Sequence, residues 1–272
     1  MNIAMYTCYL WGQNFPTPTD AFRHYREEGV LFADIVDSEL SEVPLHRYCS
    51  YLSDAGMKPG ALVSSCDITN FISDERSKNI DKVKSYIDRM DKIGIPNLVI
   101  FPSVSLPKSM DEFYSIRELM TESLNKIMNY AKNSAITVSI ENGSEVTRPY
   151  CRVEDLTYIL ENTDGLSLTF DTGNFFCIGQ DVVHAYNKLH SRVARVHIKD
   201  WKTNIFGEFV RENIPRFSGV SLGNGEIPLK ELVSLLKTHS YDGDIVIEIN
   251  SATVTGKMLD ESVNFLRGEL SV

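Results

Sequence analysis

Four side chains in the second half of the chain are of types that can together hold a divalent metal ion. Each comes at or near the end of a short apolar run, and they are Glu141, Asp171, His197 and Glu248. Three carboxylates and one imidazole form a mixed oxygen and nitrogen donor set, which suits Mn²⁺, Mg²⁺, Co²⁺ or Zn²⁺ better than a copper–thiolate or iron–sulfur site. A single acidic residue at a strand end is usually a turn or a helix cap, so the metal interpretation depends on the four occurring together.

Alternation along these runs gives the four side chains a common orientation. Successive side chains of a strand point to opposite faces. In the run ITVSIE, Val138 and Ile140 share one face and Glu141 lies on the other. The runs that contain the other three residues divide in the same way. We therefore expect the apolar faces to pack against helices and the four polar side chains to point inward together.

Eight β-rich runs alternate with amphipathic helical stretches, an order typical of parallel strands joined by right-handed crossovers. The predicted strands are Asn2–Tyr6, Phe32–Val36, Gly60–Val63, Asn97–Phe101, Thr137–Ile140, Leu166–Phe170, Val193–Ile198 and Asp244–Ile249. Eight such units in 272 residues predict one α/β domain over residues 1–272, a closed (β/α)8 TIM barrel. An open doubly wound sheet is the alternative, but the first strand lacks the GxGxxG fingerprint of its dinucleotide-binding form. In such a barrel the chemistry lies at the C-terminal ends of the strands, where the four side chains fall.

Composition excludes several other classes of protein. The formal net charge of −10 argues against a nucleic-acid partner held mainly by phosphate neutralisation. No apolar run approaches the roughly 20 residues of a membrane span, so we expect no membrane partner. The N-terminal residues have no basic segment ahead of a long apolar one, and the five cysteines show no CxxC spacing. These features predict a cytoplasmic protein with reduced thiols.

Five segments in the second half of the chain carry a family resemblance. In order, they are SIENGS, TFDTGNF, RVHIKDW, GNGEIPLKEL and SYDGDIVIEIN. They resemble the xylose isomerase-like TIM barrel superfamily, the sugar phosphate isomerase/epimerase group that is related in sequence to endonuclease IV-type enzymes. The ketose 3-epimerases of this group hold one divalent ion by Glu, Asp, His and Glu from strands five to eight. The resemblance places those roles on Glu141, Asp171, His197 and Glu248, and it makes Glu141 and Glu248 the proton-transfer residues as well.

The resemblance implies a metal-dependent enzyme that isomerises or epimerises a sugar or sugar phosphate by removing a proton next to a carbonyl. The alternative is a dehydratase of the same superfamily, such as an inosose or 3-dehydroshikimate dehydratase, whose reaction starts with the same step. A non-catalytic ligand-binding barrel is a third reading. An endonuclease is disfavoured, because the strand ends SSCDITN and FPSVS lack the extra histidines of that branch.

Four further residues are candidates for contact with a small polyhydroxylated carbonyl substrate. Asn174 stands where the ketose epimerases carry a histidine, and an amide can bind a hydroxyl but cannot shuttle a proton. Lys199 shares the inward face of His197, with an ion pair to an acidic neighbour as the alternative. Trp11 and Arg148 lie in loops after predicted strands, with ordinary packing or solvation as the alternative. Whether the protein forms a homo-oligomer stays open.

Overall fold

Eight parallel strands close into a barrel, as the alternating pattern predicts. The computed structural model describes residues 1–10, 15–102, 106–203, 209–211, 214–250 and 254–271. The barrel strands are β1 (Asn2–Tyr6), β2 (Val30–Val36), β3 (Lys58–Cys66), β4 (Asn97–Pro102), β5 (Thr137–Glu141), β6 (Ser167–Asp171), β7 (Val193–Ile198) and β11 (Asp244–Ile247). Each strand from β1 to β7 pairs with the next in chain order, β7 pairs with β11, and β11 pairs with β1 to close the ring. The alternative prediction of an open doubly wound sheet is therefore wrong. All eight predicted strands form, within a few residues of their expected bounds.

Helices connect and surround the barrel strands. They are α1 (Pro18–Glu27), α2 (Leu45–Asp54), α3 (Ser73–Ile93), α4 (Met110–Ala131), α5 (Val153–Glu161), α6 (Thr172–Cys177), α7 (Val182–Leu189), α8 (Leu229–Thr238) and α9 (Gly256–Leu270). Their starts follow the usual chemistry: the Thr17 hydroxyl accepts the amide N–H of Asp20 at 3.2 Å, with Pro18 at the first helical position. Within the described parts of the chain, no helix combines the length and apolarity needed to cross a lipid bilayer.

Two buried layers reflect the alternation of side chains along the strands. The larger layer lies between strands and helices, whereas a small one fills the barrel with Ala4, Tyr6, Ala61, Val63, Val99 and Val246. Ser139 on β5 and Thr169 on β6 face the interior too, with their hydroxyl oxygens 2.7 Å apart. The faces predicted to carry the polar side chains of β5 and β6 are therefore the inward ones.

An antiparallel three-stranded sheet between β7 and β11 was not predicted. It consists of β8 (Asp200–Thr203), β9 (Phe209–Arg211) and β10 (Ile214–Val220), with β10 in the middle. The turn after β10 is held by the buried carboxylate of Asp200, which accepts backbone N–H groups of Gly223 at 2.9 Å, Gly225 at 2.8 Å and Ile227 at 3.2 Å. A Cβ atom at Gly225 would lie 2.1 Å from Asp200 Oδ1, so the close approach requires glycine.

Removing the Asp200 carboxylate is expected to destabilise the fold. In Asp200→Ala, four backbone donors, those of Trp201, Gly223, Gly225 and Ile227, lose a charged acceptor. The free energy of unfolding should therefore fall by about 3 kcal/mol. Urea unfolding measures this difference. Asn224→Ser, an exposed change in the same turn, serves as the control and should stay within about 0.5 kcal/mol of the wild type. Equal losses in the two variants would contradict the role of Asp200.

Candidate metal centre

The four side chains predicted to bind a metal meet at one end of the barrel. One donor atom from each of Glu141, Asp171, His197 and Glu248 lies within 4.8 Å of the other three. Glu141 ends β5, Asp171 ends β6, His197 is the penultimate residue of β7, and Glu248 directly follows β11. Because β5, β6, β7 and β11 are consecutive neighbours in the ring, these strand ends form one continuous arc. We call these four residues the acidic cluster.

One nitrogen of the His197 ring faces the carboxylates of the acidic cluster. Nδ1 lies 3.3 Å from Glu141 Oε2, 3.6 Å from Glu248 Oε2 and 3.1 Å from the Tyr6 hydroxyl. The other nitrogen, Nε2, lies on the side of Asp34 from β2, with Asp34 Oδ2 at 3.7 Å. Nδ1 is therefore the nitrogen positioned to share a cation with the two glutamates.

Asp171 uses its two carboxylate oxygens differently. Oδ1 accepts the backbone N–H of Asn174 at 2.7 Å and so caps α6. Oδ2 lies 2.8 Å from the ammonium of Lys199. The side chain of Asn142 fixes the backbone here, since its Oδ1 accepts the N–H of Asp171 at 2.7 Å and its Nδ2 donates to the Asp171 carbonyl at 3.1 Å. Asp171 can therefore cap α6 through Oδ1 and present Oδ2 to the acidic cluster at the same time.

Lys199 adds a buried ammonium to the acidic cluster. Its Nζ lies 2.7 Å from Glu248 Oε1 and 2.8 Å from Asp171 Oδ2, and the side chain is only 3% exposed. Its Nζ also lies 3.5 Å from Asn174 Oδ1. The ion pair with acidic neighbours, the alternative reading of Lys199, is therefore present. Substrate contact by the same side chain stays a prediction.

Burial and crowding of like charges control protonation in the acidic cluster. Burial raises the pKa of Asp171 to about 8, with Lys199 opposing the shift and Glu248 and Glu141 reinforcing it. For His197, burial would lower the pKa, but Glu141, Asp34 and Glu248 raise it to about 10. Without a further cation, the cluster therefore tends to keep protons on these two side chains.

The donor set fits a divalent cation. Glu248 Oε2 is buried and has no hydrogen-bond partner among the described residues. Leaving a charged acceptor buried without a donor is costly. A cation bound within the acidic cluster would remove that cost, and the mixed carboxylate and imidazole donors match Zn²⁺, Mn²⁺, Co²⁺ or Mg²⁺.

A cavity of about 320 Å³ opens onto the acidic cluster. Glu141, Glu248, Asn174 and Lys199 line it together with Tyr6, Cys8, Tyr9, Val36, Val63, Ser65, Phe101, Ser144 and Asn250. A larger cavity of about 680 Å³ lies elsewhere, between α6, α7 and Phe217 of β10, and no residue of the acidic cluster lines it. Because Glu141 and Glu248 of the acidic cluster and the ammonium of Lys199 line the smaller cavity, we regard that one as the candidate active site.

The remaining predicted substrate contacts have different outcomes. Asn174 lines the cavity and donates through Nδ2 to the Asn142 carbonyl at 2.8 Å. Arg148 is not among the described residues that line the cavity, and its Nη1 donates to the Tyr150 hydroxyl at 3.3 Å. Trp11 lies outside the described residues, and its predicted role stays untested.

Comparison with known sequences gives both a family and distant relatives. The family described as "Xylose isomerase-like TIM barrel" matches residues 28–269. Inosose dehydratase of Mesomycoplasma hyopneumoniae (strain 7448) is 27% identical over 168 residues, which cover 57% of this chain and 55% of the relative. The enzyme of the same name from Geobacillus thermodenitrificans is 25% identical over 143 residues, covering 48% and 46%. The chain spans about half the length of these curated relatives.

Solved structures resemble the whole chain at low sequence identity. The IOLI protein with a bound zinc atom has a TM-score of 0.80 at 16% identity, covering 100% of this chain and 98% of that one. The 3-keto-D-glucoside 4-epimerase YcjR from E. coli has a TM-score of 0.75 at 18% identity, covering 98% and 99%. The probable 3-DHS dehydratase AsbF from Bacillus anthracis has a TM-score of 0.74 at 14% identity, covering 98% of both chains. These likenesses show the fold, and the match over residues 28–269 shows that this chain belongs to the xylose isomerase-like TIM barrel family.

Proposed function

We propose that this protein is a divalent-metal-dependent isomerase or epimerase that removes a proton next to the carbonyl of a small polyhydroxylated substrate. The observation that carries the proposal is the placement of Glu141 and Glu248. Both line the same cavity and both belong to the acidic cluster, yet β6 and β7 separate their strands in the ring. Two carboxylates that reach one cavity from different strands suit removal of a proton by one and its return by the other.

The acidic cluster would hold the metal ion. When bound, a divalent ion supplies Lewis-acid chemistry that stabilises negative charge developing on substrate oxygens. Glu141 is held in the ionised form that can accept a proton: burial opposes ionisation, but His197 and Lys199 lower its pKa below the usual value. Its side chain is 6% exposed and that of Glu248 13%, so both are largely shielded from competing water.

The rest of the cavity suits a small neutral or hydroxylated ring or chain. Ser65, Ser144, Asn174 and Asn250 offer hydrogen-bonding groups, while aromatic walls come from Tyr6, Tyr9 and Phe101. The volume of about 320 Å³ is at the lower end of the range for small-molecule sites.

We extend the proposal to a cytoplasmic enzyme without nucleic-acid or membrane partners, in keeping with the net charge of −10.

A metal-dependent dehydratase is the second candidate, and the sequence relatives favour it. The curated relatives described above are inosose dehydratases, and one structural neighbour is a probable 3-DHS dehydratase. Such a reaction removes the same proton, after which a hydroxyl on the next carbon leaves with a second proton as water. Asn174, which occupies the histidine position of the ketose epimerases, cannot itself supply that proton. The acid candidates are therefore other proton-carrying side chains of the cavity, Glu141, Glu248, Lys199 and Tyr6.

Proton exchange distinguishes these activities from one another and from a non-catalytic barrel. With ketoses and inososes in D₂O and added Mn²⁺, Mg²⁺, Co²⁺ or Zn²⁺, NMR should show loss of the C–H signal beside the carbonyl. An epimer or isomer supports the first proposal, and a dehydrated product supports the second. Glu141→Gln and Glu248→Gln should each slow exchange by about 10²–10⁴-fold. Glu122→Gln, an exposed change on α4, should leave it unchanged, and undiminished exchange in both active-site variants would contradict the proposal.

Metal affinity is expected to rise with pH. Burial and like charges raise the pKa of Asp171 to about 8, so a proton occupies it at lower pH and must leave when a metal binds. Calorimetric titration with Mn²⁺ between about pH 6 and pH 8 should show affinity increasing by up to about tenfold per pH unit for each proton displaced. The pKa of Asp171 is higher in the folded chain than in the unfolded chain, so the metal-free protein should lose stability as pH rises over this window.

Thermal unfolding provides the matching readout. The increase in Tm that the metal produces should grow with pH, because affinity rises while the metal-free fold weakens. Affinity that stays constant or falls over this pH window would contradict the assignment of Asp171 as a ligand.

A further inference from the structure

We propose that Asp34 is a positioning residue, which with Arg195 holds His197 so that its Nδ1 faces the carboxylates of the acidic cluster and its Nε2 carries the hydrogen. The inference rests on the proposed role of His197 as a metal ligand. On this proposal, the Asp34–Arg195 pair in the barrel interior contributes to metal binding as well as to packing.

A fully buried ion pair fixes the Asp34 carboxylate. Asp34 is 0% exposed and Arg195 is 1% exposed. Arg195 donates from Nε to Asp34 Oδ2 at 2.7 Å and from Nη2 to Oδ1, and its Nη1 donates to Asp244 Oδ2 at 2.9 Å. With both oxygens engaged by one planar guanidinium, the carboxylate has a single orientation.

The surrounding backbone leaves room for this pair. A Cβ atom on Gly60 of β3 would lie 2.6 Å from Arg195 Nη2 and 2.7 Å from Asp34 Oδ1. Any larger residue at this position would displace one of the two groups. The pair also crosses the barrel, since Asp34 is on β2 and Arg195 on β7, two strands that are not neighbours in the ring. A buried pair of this kind is a weak source of net stability, which leaves a positioning role to explain it.

His197 lies between this pair and the glutamates of the acidic cluster. Its Nε2 is 3.7 Å from Asp34 Oδ2, just beyond hydrogen-bonding distance, and has no hydrogen-bond partner among the described residues. Nδ1 lies within 3.6 Å of oxygens from both glutamates of the cluster. A neutral imidazole carries one hydrogen, and a carboxylate beside Nε2 favours its placement there. The lone pair of Nδ1 is then free for a cation, while the hydrogen on Nε2 lies on the side of the Asp34 carboxylate.

Two matched variants separate this role from simple stability. Asp34→Asn and Asp244→Asn each remove one carboxylate charge from Arg195, but only Asp34 adjoins His197. We expect Zn²⁺ affinity, measured by calorimetry, to fall by about 10–100-fold in Asp34→Asn. Asp244→Asn should stay within about threefold of the wild type. Equal losses in both variants, or no loss in Asp34→Asn, would overturn the inference.

If Asp34→Asn does not fold, nitrogen NMR of the Zn²⁺-loaded wild-type protein tests the inference instead. The six histidines give separate imidazole signals, and that of His197 is identified by its absence in His197→Gln. We expect zinc on Nδ1 and a slowly exchanging hydrogen on Nε2. Zinc on Nε2, or a hydrogen on Nδ1, would overturn the inference. A wild-type protein that binds no metal would instead contradict the proposed function, so the two failures are distinguishable.

Discussion

The need to compensate three carboxylates buried within 4.8 Å of each other dominates the functional end of this barrel. Like charges at such distances in a shielded site repel strongly. Without a metal, Lys199 reduces that repulsion through its contacts with Asp171 and Glu248, and His197, when protonated, does so through Glu141 and Glu248. A bound metal ion would replace the proton on His197. A divalent ion would add the charge and the ligand bonds that the remaining lone pairs require, and in the proposed reaction the same charge would polarise a bound carbonyl compound. Compensation of the carboxylate charge therefore accounts for both the stability of the site and its proposed chemistry.

The closed barrel makes this concentration of charge possible. Hydrogen-bonded strand ends fix the spacing of side chains that are distant in sequence, as in the direct pairing of Asp171 on β6 with His197 on β7. Outside the strands, apolar layers anchor the helices, so the fold does not depend on favourable interactions within the charged centre. Beneath the centre, the interior changes from small apolar residues to the Asp34–Arg195 pair. The scaffold thus supplies the free energy that holds like charges together.

Strand periodicity made the barrel and the acidic cluster predictable from the sequence. Glu141, Asp171, His197 and Glu248 each follow apolar residues at alternating positions, and the ring closure brings those positions together. The same alternation in VLFADIV places Asp34 on an interior face. Asp34 does not end its strand, however, so a search for polar residues at strand ends does not select it. Tyr6 was missed for a different reason: it does end β1, but a tyrosine at that position looks like an ordinary core residue. The antiparallel sheet of β8–β10 left no such signal, because its strands are short and carry no regular alternation of apolar and polar residues.

Family membership narrows the chemistry without selecting one reaction, since relatives and neighbours include dehydratases and an epimerase. The central claim concerns the metal, and anomalous X-ray diffraction from crystals grown with Mn²⁺ or Zn²⁺ tests it most directly. The account predicts one strong peak among Glu141, Asp171, His197 and Glu248, with donor atoms about 2.0–2.2 Å away and His197 bound through Nδ1. Crystals saturated with metal that show no peak within this cluster would contradict it.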